Sequence, residues 1–320
     1  QNKQFSLKEF TNYFNDEIED INILIDFIIE GVSSINIPKE KTIIFVSKNN
    51  IKKFDNDLIQ NILVLITDDK EFYKNIKKNI NIVLVKNIDL IYNKFLSHIY
   101  ITDDHPDYED DFNEIDGSYI SKKALIKSSV KIYPGSIICK GCVIEENTII
   151  KQNCTIKYCH IGKNNIIQEN VVIGSTGFGF PPRLGAKFIY PHIGIVEIGD
   201  NCSIGANCTI DRARIDSTNI KDNTVLDNNI HIAHNVTIGS NSTIAAQTGI
   251  SGSVRIGDNF LSGGQVGIAG HLTIEENVIV AAKSGITKNI YKNSTVAGFP
   301  AVDINVWKKQ IINQKKNGHK

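Results

Sequence analysis

No run of about 18 apolar residues occurs in these 320 residues, so a membrane-spanning helix is not expected. Neither sign of charge is in excess: 35 Lys and Arg balance 35 Asp and Glu. A nucleic-acid binder normally carries a basic surplus, so no such partner is expected. Residues Gln1 to Phe10 lack the apolar stretch of a secretory signal, and a cytoplasmic location is the default expectation. Only one C-x2-C pair, Cys139 and Cys142, is present among the six cysteines, and no second pair answers it. A bound metal is therefore not expected. Asn, Ile and Lys are abundant, which by itself reads as genome composition rather than function.

The positive signal is a period. Aliphatic residues recur every six positions from Ile126 to Ile156, and again through Ile161, Ile167 and Ile173 after a slip of one. The series returns at Ile198, Ile204 and Ile210, slips at Ile215, and runs from Ile220 to Ile286. In that last run only Ser262 interrupts the aliphatic positions, which argues against chance alternation. Neither a 3.6-residue helix nor a two-residue strand has this period; the hexapeptide repeat of a parallel β-helix does. Two residues before each aliphatic position stand small or β-branched residues such as Val130, Ser136, Thr148, Val236, Ser242 and Val278. Cys142, Cys154, Cys202 and Cys208 share that phase and read as small buried fillers. Glycines often follow the aliphatic residue, as at Gly162, Gly199, Gly205, Gly239 and Gly257, where a tight corner at positive φ is expected. Three hexads close one triangular coil, giving about nine coils stacked about 4.8 Å apart.

The expected architecture is a left-handed parallel β-helix with a small N-terminal α/β domain and a short C-terminal helix. The first domain spans 1–100, with strands at Ile43 to Val46, Ile62 to Ile66 and Ile82 to Val85, and helices at Phe72 to Ile80 and Ile88 to Ile99. Residues 101–123, rich in acidic residues, read as a linker, 124–300 as the β-helix and 301–320 as the helix. The repeat is interrupted from Ser175-Thr176-Gly177-Phe178-Gly179-Phe180 through Pro181, Pro182 and Arg183 to about His192. An excursion on a rigid scaffold is a usual place for function.

A β-helix interior has little use for histidine, so His231, His234 and His271 are expected to point outward. Imidazole can accept a proton near neutral pH. Asp227, seven residues before His234, falls on an adjacent side of the same coil or at its corner, where a carboxylate can fix an imidazole tautomer. His234 and His271 lie 37 positions apart, about two coils or 9–10 Å, too far to share an ion within one chain. That spacing suits two contacts along an extended substrate. Gly249, Gly252, Gly263, Gly264, Gly267 and Gly270 crowd the same stretch. They can be plain corner glycines, or they can let a long chain lie against backbone, with an N–H such as that of Gly252 stabilising an oxyanion.

Several stretches together resemble the UDP-3-O-acylglucosamine N-acyltransferases: Asp227-Asn228 with His231-Ile232-Ala233-His234-Asn235-Val236, Ala246 to Ser253, Gly263 to Leu272, Gly177-Phe178-Gly179-Phe180 and Thr209-Ile210-Asp211-Arg212. The resemblance implies transfer of a 3-hydroxyacyl group from acyl carrier protein to the 2-amine of UDP-3-O-(3-hydroxyacyl)glucosamine in lipid A synthesis. It implies His234 as general base, Asp227 as its orienting carboxylate, Gly252 as oxyanion donor and His271 as a substrate contact. It also implies a homotrimer with sites between subunits and no bound cofactor, the donor bringing its own phosphopantetheine. Phe45 stands where the family stacks an aromatic on uracil. The following residues, Val46-Ser47-Lys48-Asn49-Asn50-Ile51, lack the family's Asn-Pro-Lys-Tyr spacing, with Asn49 one position out of register. A core Phe is the plainer reading of Phe45. Lys308, Lys309, Lys315 and Lys316 on the C-terminal helix can meet an acidic carrier protein. Other proteins share this coil: O-acyltransferases on UDP-N-acetylglucosamine, acetyl-CoA-dependent UDP-amino-sugar N-acetyltransferases, γ-type carbonic anhydrases and non-catalytic scaffolds.

Overall fold

The structure, a computed structural model, describes residues 5–35, 37–48, 51, 63–76, 80–100, 109–179 and 190–317. The chain divides into two compact units, Gln1–Tyr108 with Gly179–Ile193, and Glu109–Phe178 with Gly194–Lys320.

In the first unit the short apolar runs form a five-stranded sheet. Thr42–Val46, Leu63–Thr67 and Asn81–Val85 lie side by side and parallel, with Gly31–Val32 parallel at one edge and Ile18–Asn22 antiparallel at the other. Asn81–Val85 is buried along its whole length, as a parallel strand covered on both faces must be. The helix Ile88–Ile99 starts where the Asn87 side chain accepts the Leu90 amide, and it buries Ile91, Phe95 and Ile99 on one face. The other expected helix runs Lys70–Ile76. Part of the excursion belongs to this unit: the Tyr190 hydroxyl donates to Asp89 at 2.5 Å, and its ring packs edge-on against Tyr92.

The second unit is a parallel β-solenoid. Its short strands fall into three sheets of eight, ten and ten strands, one along each side of the coil. The first face carries Ile137–Ile138, Thr155–Ile156, Val172–Ser175, Thr209–Asp211, His231–Ile232, Gly249–Ile250, Gly267–Ile268 and Gly285–Ile286. The second face runs from Leu125–Ile126 to Thr273–Ile274, and the third from Lys131–Ile132 through Leu261–Ser262 to Thr295–Ala297. Strands one coil apart pair in parallel, each amide bonding one position out from its counterpart, as Ala233 does to the Ile250 carbonyl at 3.0 Å, so identical phases stack: Ile232 sits on Ile250, and Ile250 on Ile268. That stacking makes one continuous apolar core from Ile138 to Val296. Phe112–Ile115 and Ser118–Ser121, within the stretch expected to be a linker, form a hairpin that pairs onto the first face and covers its open edge. At the other end Val302–Asp303 pairs antiparallel with Val296–Ala297, and the helix Ile304–Asn317 follows, with Trp307 packed on Gly298.

The corners differ from expectation. Of the glycines that follow the aliphatic residue, Gly174 takes positive φ, at +85°, while Gly162, Gly199, Gly205, Gly239 and Gly257 do not. They are demanded by close approach: a Cβ at Gly162 would lie 2.7 Å from the Gly199 carbonyl oxygen, and one at Gly239 would lie 2.4 Å from the Gly257 carbonyl carbon. Positive φ falls two residues later, mostly on Asn: 164, 201, 241 and 259 all lie within a degree of +58°. Asn tolerates the left-handed region better than most residues with a side chain. Its amide also builds ladders along the corner, with Asn223 donating to Asn241 (3.1 Å), Asn259 to Asn277 (2.9 Å) and Asn277 to Asn293 (3.0 Å). The abundance of Asn is thus partly structural.

Inside, the filler cysteines donate to backbone carbonyls of the next side or coil, as Cys154 does to Gln168 (3.0 Å) and Cys208 to Asp227 (3.1 Å), much as Ser136 does to Lys151. Burial pushes the Cys202 thiol up to about 11. The Ser262 interruption is compensated in volume by Phe260, a large filler two residues earlier and fully buried. Ile215 is not a core position. Ile220 pairs with Ile198, so residues 211–216 form a lengthened corner between the first and second faces.

The ladder predicts unequal tolerance at one corner. Asn259→Val places a β-branched residue at φ +58° and is expected to cost about 1–3 kcal/mol, clearly more than Asn259→Gly, in urea unfolding midpoints. Equal midpoints for the two variants would contradict this account of the corner.

Candidate active site

The outward positions of successive coils on the first face read Thr209, His231, Gly249, Gly267 and Gly285, in direct register. A methyl group at Gly249 or Gly267 would meet nothing within 4 Å, so packing does not demand glycine there. What two bare positions create is a trough floored by backbone. It belongs to a groove of about 690 Å³, with His231 and His234 towards one end and Lys283, Thr287 and Phe299 towards the other. The Phe299 ring lies over Gly285 so closely that any Cβ there would run into it. A floor of bare backbone between aliphatic side chains suits an extended, largely apolar ligand.

At the corner bordering this floor, three expected residues come together on successive coils. The His234 carbonyl accepts the Ser253 amide at 3.0 Å, and the Gly252 carbonyl accepts the His271 amide at 3.0 Å. The His234 imidazole rests directly against Gly252, where a Cβ would lie 2.7 Å from Nε2. Glycine is required there by the ring, not by the corner. Among the described residues, the Gly252 amide has no acceptor within the chain. His271 takes the positive-φ position of its corner, at +62°, and is exposed.

Asp227 does not join them. It stands at the corner between the third and first faces, whereas His234 stands at the next corner, beyond the strand His231–Ile232. Its carboxylate accepts the backbone amides of Asn228 (2.7 Å) and Ala246 (3.2 Å), which makes it a turn cap. Seven residues carry the chain past one whole strand, so the sequence spacing joins opposite ends of one side. The carboxylate that faces the histidines is Asp211, on the lengthened corner. It is 5% exposed, accepts from the Ser175 hydroxyl at 2.8 Å, and has Oδ2 3.7 Å from His231 Nε2. Burial pushes the Asp211 carboxyl up, while the Ser175 hydroxyl and the imidazoles of His231 and His234 pull it back. The corner is anchored by Arg212, whose Nε donates to the Gly194 carbonyl at 2.6 Å while its guanidinium lies 3.6 Å from the centre of the Tyr158 ring.

Phe45 belongs to the other unit. It lies near the carboxyl end of Thr42–Val46, half-buried, with its ring 5.0 Å from that of Tyr92. Asn49 lies outside the described residues, as does 180–189 of the excursion. Sequence reasoning passed over Asp211 as a site residue because Ile215 imitated a core position and hid the extra corner residues. The pairing of Thr209 with His231 was the missing signal, since it sets Asp211 two residues past the strand position that neighbours His231.

Comparisons with known proteins agree with the fold. A model described as bacterial transferase hexapeptide (six repeats) matches residues 123–158 and 217–252. A UDP-3-O-acylglucosamine N-acyltransferase of Rickettsia conorii is 48% identical over 167 residues, 52% of this chain and 48% of that protein. One from Legionella pneumophila, numbered 2, is 46% identical over 157 residues, 49% of this chain and 46% of that protein. The chain thus spans about half the length of the curated relatives it matches. Among solved structures, LpxA from Acinetobacter baumannii superposes with a TM-score of 0.53 at 27% identity, covering 61% of this chain and 75% of that one. LpxA of Bacteroides fragilis, a UDP-N-acetylglucosamine acyltransferase, gives 0.52 at 27% identity, covering 63% and 76%.

Two glycines only three residues apart are expected to respond differently. Gly249→Ala, with open space for its methyl, should leave the unfolding free energy unchanged or raise it by about 0.4–1 kcal/mol. Gly252→Ala should displace the His234 ring, read as a shift of its imidazole resonances with the solenoid intact. An unmoved His234 ring in the folded Gly252→Ala protein would refute the assigned packing.

Proposed function

We propose that the chain is an N-acyltransferase that moves a 3-hydroxyacyl group from acyl carrier protein to the 2-amine of UDP-3-O-(3-hydroxyacyl)glucosamine, a step in lipid A synthesis. The observation that carries the reading is the His234 imidazole seated on Gly252 beside a trough of bare backbone. The names of the relatives, which match over about half of the chain, support the same chemistry.

In this reading the acyl chain or the phosphopantetheine arm lies along Gly249 and Gly267, where no side chain stands in the way. The sugar amine is placed at His234. Its nitrogen attacks the thioester carbonyl carbon while the imidazole takes the amine proton, a contribution of about 10²–10⁴ in rate. The Gly252 amide donates to the oxyanion of the tetrahedral intermediate, a type of contact whose loss costs about 2.7–4 kcal/mol. The C–S bond then breaks, and the imidazolium returns its proton to the leaving thiolate. The products are an amide and the free carrier thiol, with no metal or cofactor required. His271, one coil beyond Gly252, contacts the substrate. Phe45, near the carboxyl end of a parallel strand, stacks on the uracil, since ligands of open α/β sheets bind outside those ends. The reaction is placed in the cytoplasm, and among the described residues no helix is long and apolar enough to cross a membrane.

The active form is a homotrimer in this reading. The third face supports it: its outward positions run Ile166, Ser203, Val225, Thr243, Leu261 and Ile279, four of them aliphatic and each of those about 40% exposed. The helix Ile304–Asn317 presents Lys308, Lys309, Lys315 and Lys316 to solvent, a surface that suits an acidic carrier protein and weakens with salt.

Purified protein, UDP-3-O-(3-hydroxyacyl)glucosamine and a panel of 3-hydroxyacyl carrier proteins are expected to yield a diacyl product by mass spectrometry. His234→Ala is expected to lower turnover at least about a hundredfold with the solenoid folded. Acetylation from acetyl-CoA with no diacyl product, or near-normal turnover by the variant, would overturn the proposal. Leu261→Glu is expected to convert a trimer to monomers in sedimentation velocity, and an unchanged trimer would remove the third face from the interface.

A further inference from the structure

The residue after His234 is used differently from its equivalents at the corner between the second and third faces. Asn235 sits at φ +59°, the position where Asn223, Asn259 and Asn277 donate along the corner ladder. Its amide turns instead to the lengthened corner. Nδ2 donates to the Ile215 carbonyl at 2.8 Å, and Oδ1 accepts the Arg214 backbone amide at 2.9 Å. A backbone carbonyl can only accept and a backbone N–H can only donate, so these two contacts fix which end of the amide is oxygen. The same Oδ1 lies 3.1 Å from His234 Nδ1. An oxygen cannot donate, so the neutral imidazole must carry its proton on Nδ1, which leaves the lone pair on Nε2, the nitrogen that faces Gly252.

We infer that Asn235 is the positioning residue of the site: clamped by Arg214 and Ile215, it holds neutral His234 as the Nδ1–H tautomer and so makes Nε2 the base. The inference deepens the acyl-transfer reading and rests on it for its kinetic consequence. The orienting group is a neutral amide, not the Asp227 carboxylate that the spacing suggested. The backbone amide of Asn235 is held as well, donating to Thr218 Oγ1 at 2.9 Å, so both its backbone and its side chain are tied to residues 214–218. Asp211, which faces His231 from the start of the same lengthened corner, supplies the charge that Asn235 does not. The tautomer is therefore set by hydrogen-bond geometry, and the nearby negative charge stays on a different residue.

The test reads the tautomer directly, by long-range proton–nitrogen correlation on the full-length chain carrying 15N-labelled histidine, at a pH where imidazole is neutral. The His234 signals are assigned by their loss in His234→Gln. Expected is a protonated, pyrrole-type Nδ1 and a pyridine-type Nε2. Asn235→Gly, which keeps the positive φ, should move the population towards Nε2–H and lower kcat by about 10–100-fold with KM nearly unchanged. Asn235→Asp, which keeps the oxygen facing Nδ1 and the Arg214 amide but loses the donor to the Ile215 carbonyl, should still show the Nδ1–H signature. A pyrrole-type Nε2 in the unaltered protein, or an unchanged spectrum in Asn235→Gly, overturns the inference. The spectra decide it even if no acyl transfer is detected, so failure of the proposed reaction and failure of the tautomer assignment are read separately.

Discussion

Hydrogen bonding between coils governs everything else in the solenoid. Each short strand pairs in parallel with the strand one coil before and one coil after, and the phases stack without drift over the whole core. A residue inserted within a strand would turn every inward side chain out. Extra residues are therefore confined to corners, where they cost no register. In this chain the irregular corners lie between the first and second faces: the excursion after Val172–Ser175 and the lengthened corner at 211–216. The site stands on that same edge, at His234, Gly252 and His271. The rigid coils provide the spacing, and the irregular corner provides the polar groups.

The division of labour follows from chemistry that strands of two residues cannot supply. A strand that short offers one outward side chain per coil. On the first face those positions become His231 and then bare glycine, which opens the trough. Everything that orients the imidazole comes from elsewhere. Asn235 reaches back to Arg214 and Ile215, Asp211 reaches to His231, and Arg212 ties the corner down through Gly194 and Tyr158.

Glycine plays two distinct parts along the chain. At Gly162, Gly199 and Gly239 it permits neighbouring coils to approach, since any Cβ would strike the next coil's backbone. At Gly249 and Gly267 nothing is near, and the absent side chain is itself the feature, because it opens the trough. Gly252 is a third case, in which the missing Cβ makes room for the His234 ring. In sequence all six look like corner glycines. Only the surroundings separate them.

The six-residue period, the small fillers, the buried cysteines and the outward histidines were legible because each depends on local spacing alone. Period and composition determine the coil, since one short-range rule repeated many times leaves no other way to bury the aliphatic residues. The grouping of His234, Gly252 and His271 was legible for the same reason: multiples of the coil length place them on one edge. The pairing of Asp227 with His234 failed because seven residues span one whole strand, and Asp211 was passed over because Ile215 imitates the phase that the lengthened corner breaks. Likewise most left-handed corners went to Asn, with Gly at 135, 141 and 174, a choice visible only once φ is known. Which carboxylate faces which imidazole, and which nitrogen holds the proton, was decided by the tertiary structure. Those outcomes turn on ångström-scale contacts between coils, and sequence separation carries no information about direction.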